Sequence, residues 1–216
     1  MLSLADKVDP KHCLLLVVDI QNDFCHPEGS MGRAGQDLSM VDEMMPHLLE
    51  VLQEARQVRA PVIFTQAVHS SWSDSQASNT PWRTRLDVLK EEVPRPCLEG
   101  SWGADLYEVT LNEGERALTK PRYSAFYGTE LDVMLRAMGI KTLLMTGVAT
   151  NVCVETTARD GFMRDYQIVF LSDCCATYDR AQHEATLTNI DKYFGMVTTS
   201  KEVLNIWKGI ATPRLG

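Results

Sequence analysis

The sequence lacks three features: long apolar runs, an excess of basic residues and a regular cysteine pattern. Its longest early apolar run, Leu14 to Val18, is far shorter than the roughly 20 residues that span a bilayer. The charged residues before that run are unlike a signal peptide. A formal net charge of -8, without a Lys/Arg cluster, argues against a nucleic-acid-binding surface. These absences predict a cytoplasmic protein that binds neither membranes nor nucleic acids.

Cofactor and metal motifs are also missing. The 6 cysteines include no CxxC pair and form no Cys/His quartet typical of a zinc site, so we expect reduced thiols and no metal. The adjacent Cys174 and Cys175, placed after the fifth predicted strand, are expected to be structural. No GxGxxG fingerprint follows the first predicted strand, which disfavours a dinucleotide cofactor.

What the sequence does contain is a regular alternation of β-rich segments and helical patterns. Strands are predicted at 13–20, 61–68, 116–120, 141–148, 167–173 and 195–199, and helices at 38–59, 129–139, 151–165, 181–194 and 201–209. Pro46 lies either inside the first of these helices or between two helical pieces. The polar segment 70–103 is predicted to be a long loop with a short helix at 83–90.

The alternation predicts one α/β domain over residues 1–216, with a doubly wound, mainly parallel six-stranded sheet in a three-layer α/β/α architecture. In the strand order 3-2-1-4-5-6, strands one and four are neighbours at the switch point, outside whose carboxyl ends ligands bind. Asp19 ends strand one and Cys153 follows strand four. We therefore expect these two residues to meet at the site.

Cys153 is either a buried spacer or a nucleophile. Its position in the first turn of a predicted helix favours the second interpretation, because unpaired N–H groups and the helix dipole favour a thiolate. Asp19, at the end of an apolar strand, is a candidate general base, although it could instead cap a turn. Lys120 ends strand three, where it either balances these charges or is a solvated lysine.

Three segments carry a family resemblance. DIQNDF, KPRYSAFYGTELDVMLRAMGI and TGVATNVCVETTARDGF resemble the signature blocks of the isochorismatase-like cysteine hydrolases, in the family's order, within a match from Leu14 to about Val203. Within that superfamily, the chain is most similar to amidohydrolases of ureido compounds, namely ureidoacrylate, biuret, triuret and N-carbamoylsarcosine hydrolases.

The resemblance implies roles for individual residues. Asp19, Lys120 and Cys153 match the catalytic set, and a cis peptide between Val148 and Ala149 is implied, with the N–H groups of Ala149 and Cys153 forming an oxyanion hole. Nicotinamidases, a related group, bind a metal through an Asp-x-His-x-x-His type of pattern after strand two. The corresponding TQAVHSSWSDSQ has one histidine at position 69, so a metal site is not expected.

Four further residues are candidates for substrate binding. Asn22, Arg122 and Tyr123 lie beside the catalytic positions and could hydrogen-bond a ureido group or a carboxylate. Equally, Asn22 could cap a turn and Arg122 could form a surface ion pair. Trp82 belongs to a tryptophan-bearing loop that walls a pocket or packs against another subunit. His183 is expected on a solvated helix face.

Together these observations predict a cysteine-dependent amidohydrolase without a cofactor. It would cleave a C–N bond of a small ureido or carbamoyl compound, a linear amide, through a covalent thio-acyl enzyme, and release ammonia or an amine. The alternatives are a nicotinamidase-like hydrolase of another small amide and a non-catalytic member of the fold that binds a metabolite or protein. The resemblance also implies a homo-oligomer, a tetramer or dimer.

Overall fold

The computed structural model describes residues 2–77 and 95–211. The predicted short helix at 83–90 and Trp82 lie outside the described residues. No helix within the described ranges is both long enough and apolar enough to cross a membrane.

Six parallel strands form one sheet, and the predicted doubly wound architecture is confirmed. Their order is β3-β2-β1-β4-β5-β6, so β1 and β4 lie at the switch point. The strands are β1 (Cys13–Val18), β2 (Val62–Ala67), β3 (Arg116–Lys120), β4 (Thr142–Val148), β5 (Gln167–Ala176) and β6 (Met196–Thr198).

Helices in the described residues connect the strands and cover the sheet. They are α1 (Leu4–Lys7), α2 (Asn22–Cys25), α3 (Ser30–Arg33), α4 (Ser39–Gln57), α5 (Leu131–Ala137), α6 (Glu155–Phe162), α7 (Arg180–Tyr193) and α8 (Ser200–Ala211). A 3-10 turn spans Trp102–Ala104, and a π-helical turn spans Thr150–Val154. Pro46 lies inside α4, which continues on both sides of it.

The central strands divide the core into two apolar clusters, one on each face of the sheet. Successive side chains of a strand point to opposite faces. Accordingly Leu15 belongs to the cluster that contains Trp207 of α8, and Leu16 to the cluster that contains Leu135 of α5. Every residue of β1 and β4 is buried, as expected of parallel strands covered on both faces.

The length of β5 and the conformation of Gly147 were not predicted from the sequence. Strand β5 is longer than predicted and includes Cys174 and Cys175, both buried. Its pairing with β4 shifts register between Met145 and Gly147. Gly147 has a φ of 111°, and a Cβ there would lie 2.0 Å from the carbonyl oxygen of Val18. Glycine therefore permits the close approach of β4 to β1 at their carboxyl ends.

Candidate active site

Three side chains from separate parts of the chain meet at the carboxyl edge of the sheet. Asp19 directly follows β1, Lys120 ends β3, and Cys153 lies in the π-helical turn after β4. Lys120 Nζ is 2.7 Å from Asp19 Oδ2 and 3.4 Å from Cys153 Sγ. The three residues are 0%, 1% and 7% exposed, respectively, so the group is almost completely removed from bulk solvent.

Asp19 is held in an unusual backbone conformation. Its φ of 52° lies in the left-handed region, which Asp tolerates better than most residues. Its N–H donates to the carbonyl oxygen of Thr65, whose hydroxyl donates to Oδ1 at 2.8 Å. Oδ2 is paired with the Lys120 ammonium but accepts no well-aligned hydrogen bond from the described residues. One carboxylate oxygen is therefore fixed, and the other keeps a lone pair for a proton.

Lys120 is a buried cation with two anchors besides the thiol. Its ammonium donates to the carbonyl oxygen of Arg122 at 3.0 Å and pairs with Asp19. Burial on its own lowers the pKa of Lys120, but the neighbouring Asp19 and Cys153 outweigh it and raise this pKa above its ordinary value. Lys120 is therefore positively charged across the physiological pH range.

The thiol of Cys153 differs from the sequence expectation of a stabilised thiolate. Burial raises the pKa of Cys153 to about 12; Lys120 opposes this rise, and the Asp19 carboxylate adds to it. Desolvation and a carboxylate neighbour thus outweigh the effect of Lys120 on this pKa. In the resting site the sulfur therefore carries its proton beside the Lys120 ammonium group.

The turn that carries Cys153 is tied to the loop after β3. The hydroxyl of Thr157 donates to the carbonyl oxygen of Cys153 at 2.7 Å and accepts from the N–H of Ala125 at 3.0 Å. The peptide bond between Val148 and Ala149, which precedes the turn, is cis. Thr157 therefore links the backbone of the nucleophile candidate to the loop after β3.

Helix α7 supports the same turn from the opposite side. Thr150 Oγ1 is 2.9 Å from His183 Nδ1, Asn151 Nδ2 donates to Gln182 Oε1 at 2.5 Å, and Thr177 Oγ1 donates to Asn151 Oδ1 at 2.7 Å. The expectation of a solvated His183 is wrong, because this residue is 5% exposed where α7 packs on the turn. A helical periodicity with few apolar residues gave no signal of that contact.

A cavity of about 970 Å³ opens onto Cys153. Arg122 and Tyr123 line it, as does Ala149. Asn22 does not belong to its walls, since its amide nitrogen donates to the carbonyl oxygen of Trp102. The described lining includes Phe24, Met31, His69, Arg95, Lys120, Arg122, Tyr123, Tyr127, Ala149, Cys153, Tyr178, Asp179 and Gln182.

Metal-ligating side chains were also sought around the site. Within residues 2–77 and 95–211, no three His, Cys, Asp or Glu side chains are grouped closely enough to coordinate a metal. His69 lies near a single carboxylate, Asp74, and its Nδ1 is 3.0 Å from that residue's Oδ1. The chemistry available in the described site is that of a thiol, a carboxylate and an ammonium group.

Comparison with known proteins finds relatives of similar sequence. The family model described as the isochorismatase domain matches residues 13–202. A ureidoacrylate amidohydrolase of Methylobacterium radiotolerans is 37% identical over 202 residues, which cover 88% of this chain and 78% of that protein.

Two solved structures have the same fold. The cysteine hydrolase from Pseudomonas syringae pv. phaseolicola 1448A superposes with a TM-score of 0.81 at 27% identity, covering 95% of this chain and 96% of that one. The N-carbamoylsarcosine amidase from Thermoplasma acidophilum gives a TM-score of 0.70 at 26% identity, with 88% and 96% covered.

Proposed function

This chain belongs to the isochorismatase family, and from that premise we propose that it hydrolyses a C–N bond of a small ureido or carbamoyl compound with Cys153 as nucleophile. The observation that carries the proposal is the contact of one ammonium group with both partners, 2.7 Å from Asp19 Oδ2 and 3.4 Å from Cys153 Sγ. Such a set supplies a nucleophile, a base and a charge that holds them together.

The first half of the reaction forms the thio-acyl enzyme. As Cys153 Sγ attacks the substrate carbonyl carbon, its proton passes to Asp19, and the carbonyl oxygen becomes an oxyanion. The N–H groups of Ala149 and Cys153 stabilise this oxyanion. Asp19 then gives the proton to the leaving nitrogen, the C–N bond breaks, and ammonia or an amine departs. Because the thiol starts protonated, the base is required in this step.

The second half regenerates the thiol. A water molecule loses a proton to Asp19 and attacks the thio-acyl carbon. The C–S bond breaks, and the sulfur recovers its proton from Asp19. Lys120 remains an ammonium group throughout and balances the negative charge as it moves between Asp19 and Cys153.

We further propose that the substrate carries a carboxylate, with ureidoacrylate as the first candidate. Arg122 lines the cavity, and its guanidinium donates only to the carbonyl oxygens of Ser73 and Pro121 in the part of the chain that the structure describes. No carboxylate among the described residues forms an ion pair with the Arg122 guanidinium. A guanidinium that has no acidic partner among the described residues favours an anionic group on the ligand. Tyr123, half exposed at the same wall, would contact the ligand beside it.

A substrate panel with a nucleophile variant tests the proposal. Purified protein is assayed for ammonia release from ureidoacrylate, biuret, triuret and N-carbamoyl amino acids, and Cys153→Ser is assayed in parallel. We expect turnover of at least one compound, a preference for carboxylates, and loss of turnover in the folded variant. Full activity of Cys153→Ser would refute the mechanism, and a preference for biuret or triuret would refute the assignment of Arg122.

Two further expectations stay predictions of the sequence. A homo-oligomer, dimer or tetramer, is testable by light scattering of the purified chain. The cytoplasmic location is testable by cell fractionation. Neither expectation affects the chemistry proposed for the residues of one chain.

A further inference from the structure

A second polar cluster lies at the wall of the cavity, separate from Asp19 and Cys153. His69 Nδ1 is 3.0 Å from Asp74 Oδ1, and Arg95 pairs with the other oxygen of the same carboxylate. The three side chains are 17%, 10% and 16% exposed, and both His69 and Arg95 line the cavity. The proposed mechanism uses none of them.

The backbone of His69 is fixed at the carboxyl edge of the sheet. It follows β2 by two residues, its N–H donates to the carbonyl oxygen of Cys97 at 2.9 Å, and its carbonyl oxygen accepts from the N–H of Glu99 at 3.0 Å. Both bonds join His69 to the segment 97–99 and fix the backbone that carries the ring.

The tautomer of His69 follows from its partner. An ionised carboxylate only accepts hydrogen bonds, so Nδ1 must carry the proton that it shares with Asp74. Burial lowers the pKa of His69 below its usual value; Asp74 opposes this change, and Arg95 supports it. In the neutral ring, Nε2 is then a hydrogen-bond acceptor. None of the described residues donates to it.

Acceptors are scarce among the charged groups of this cavity. Lys120, Arg122 and Arg95 are all donors. Asp179 is the one carboxylate in the described lining, and its Oδ1 already accepts from the N–H of Gln182 at the start of α7. A ureido group, by contrast, presents N–H donors on either side of its carbonyl. An acceptor that is fixed in one tautomer complements such a group.

We propose that His69 is a specificity-determining residue whose Nε2 accepts a hydrogen bond from a ureido N–H of the substrate. Asp74 is a positioning residue, because it acts through His69 by fixing the proton on Nδ1. The inference rests on the proposed function and adds a requirement: one particular ureido nitrogen must carry a hydrogen.

Three matched compounds test that requirement. N-carbamoylglycine carries hydrogens on both nitrogens, N-carbamoylsarcosine replaces the inner N–H by N–CH3, and N-(dimethylcarbamoyl)glycine removes both outer hydrogens. Each is measured as a substrate or, where turnover is slow, as a competitive inhibitor of ureidoacrylate hydrolysis. The enzymes are the wild type, His69→Phe and His69→Gln, with His47→Phe on the distant helix α4 as the control.

We expect the wild type to discriminate at least about tenfold against one of the two methylated compounds, since the methyl group leaves a buried acceptor unpaired. His69→Phe should reduce that ratio to near one, and His69→Gln, which retains an acceptor oxygen, should restore part of it. His47→Phe should behave as the wild type. Equal losses for all three compounds in folded His69→Phe, or discrimination that survives in it, would overturn the inference.

The tautomer gives a measurement that needs no turnover. Long-range ¹H–¹⁵N spectra of the wild type at pH 7.5 should show His69 protonated on Nδ1 alone, and Asp74→Asn should reduce the population of that tautomer. A wild-type ring protonated on Nε2 would overturn the inference by itself. A chain inactive on the whole ureido panel would overturn the proposed function and this inference together, whereas an active chain with unaltered methyl discrimination overturns only the inference.

Discussion

Replacement of Asp19 by Asn should make the Cys153 thiol more acidic and at the same time abolish hydrolysis. The wild-type thiol has a pKa of about 12. At pH 7, therefore, about one site in 10⁵ holds a thiolate, against roughly one in 10² for an ordinary cysteine. Lys120 Nζ is 2.7 Å from Oδ2 and 3.4 Å from Sγ, so the carboxylate oxygen and the sulfur are at most about 6 Å apart, the sum of the two distances.

The size of the effect follows from that distance. Two unit charges no more than about 6 Å apart at an effective dielectric constant of about 20 repel by at least about 3 kcal/mol, which corresponds to two pH units or more. Asp19→Asn removes this repulsion and leaves Lys120 to stabilise the thiolate alone. The pKa of Cys153 should therefore fall to about 10 or below, although the same variant loses the base and should lose hydrolysis.

Alkylation by iodoacetamide measures this change directly. The rate at Cys153 is followed from pH 6 to 11 by mass spectrometry with peptide mapping, which separates this thiol from the other five buried cysteines. The wild-type rate should rise tenfold per pH unit through pH 10, and the Asp19→Asn rate should level off at about pH 10 or below. Asp179→Asn is the matched control, because Asp179 lines the same cavity and Asn also caps a helix. A wild-type inflection near pH 7, or a variant thiol less acidic than the wild type, would refute the reasoning.

Three further results are expected. Lys120→Met should abolish turnover and lower the free energy of unfolding by roughly 3–5 kcal/mol in urea titrations, since it leaves the Asp19 carboxylate buried without its cation. Adding Asp19→Asn should recover part of the lost stability. A Lys120→Met chain as stable as the wild type would contradict this expectation. Burial lowers the pKa values of His69 and His183, so the unfolded chain takes up protons first as the pH falls below about 6.5, and the free energy of unfolding should decrease there. His183→Gln should weaken this pH dependence of stability. An unchanged pH dependence would exclude His183 as a source. Treatment with a chelator such as EDTA should leave turnover unchanged in the ammonia assay, and lost activity that zinc restores would contradict a purely thiol-based site.

The doubly wound strand order was predictable because strands alternate with helices along the chain, which indicates a parallel sheet that is buried on both faces. The same logic placed Asp19 and Cys153 at neighbouring strand ends, since parallel strands bring their carboxyl ends to one edge. The family resemblance added the expected role of Lys120. These conclusions depend on the period and order of the residues, which a sequence states directly.

Other properties of the site depend on packing in three dimensions. The raised pKa of Cys153 reflects how much protein surrounds the sulfur, whereas its position in the first turn suggested the opposite shift. His183 contacts the turn, and Asp74 contacts His69 at the cavity wall, and the segments that carry them have no apolar pattern that reveals which side is buried. The longer β5 follows from its pairing with β4, which residue types alone do not specify.

The position of Lys120 has a consequence for how the sheet is completed. Strand β3 is an outer strand with little apolar burial of its own; four of its five residues are wholly or partly exposed, and its last residue supplies the cation for Asp19. When this strand joins the sheet, Lys120 neutralises the Asp19 carboxylate, which would otherwise be buried without a cation. Loss of β3 from the sheet would leave the Asp19 carboxylate buried without its cation, so the Asp19–Lys120 pair forms only when this outer strand is in place.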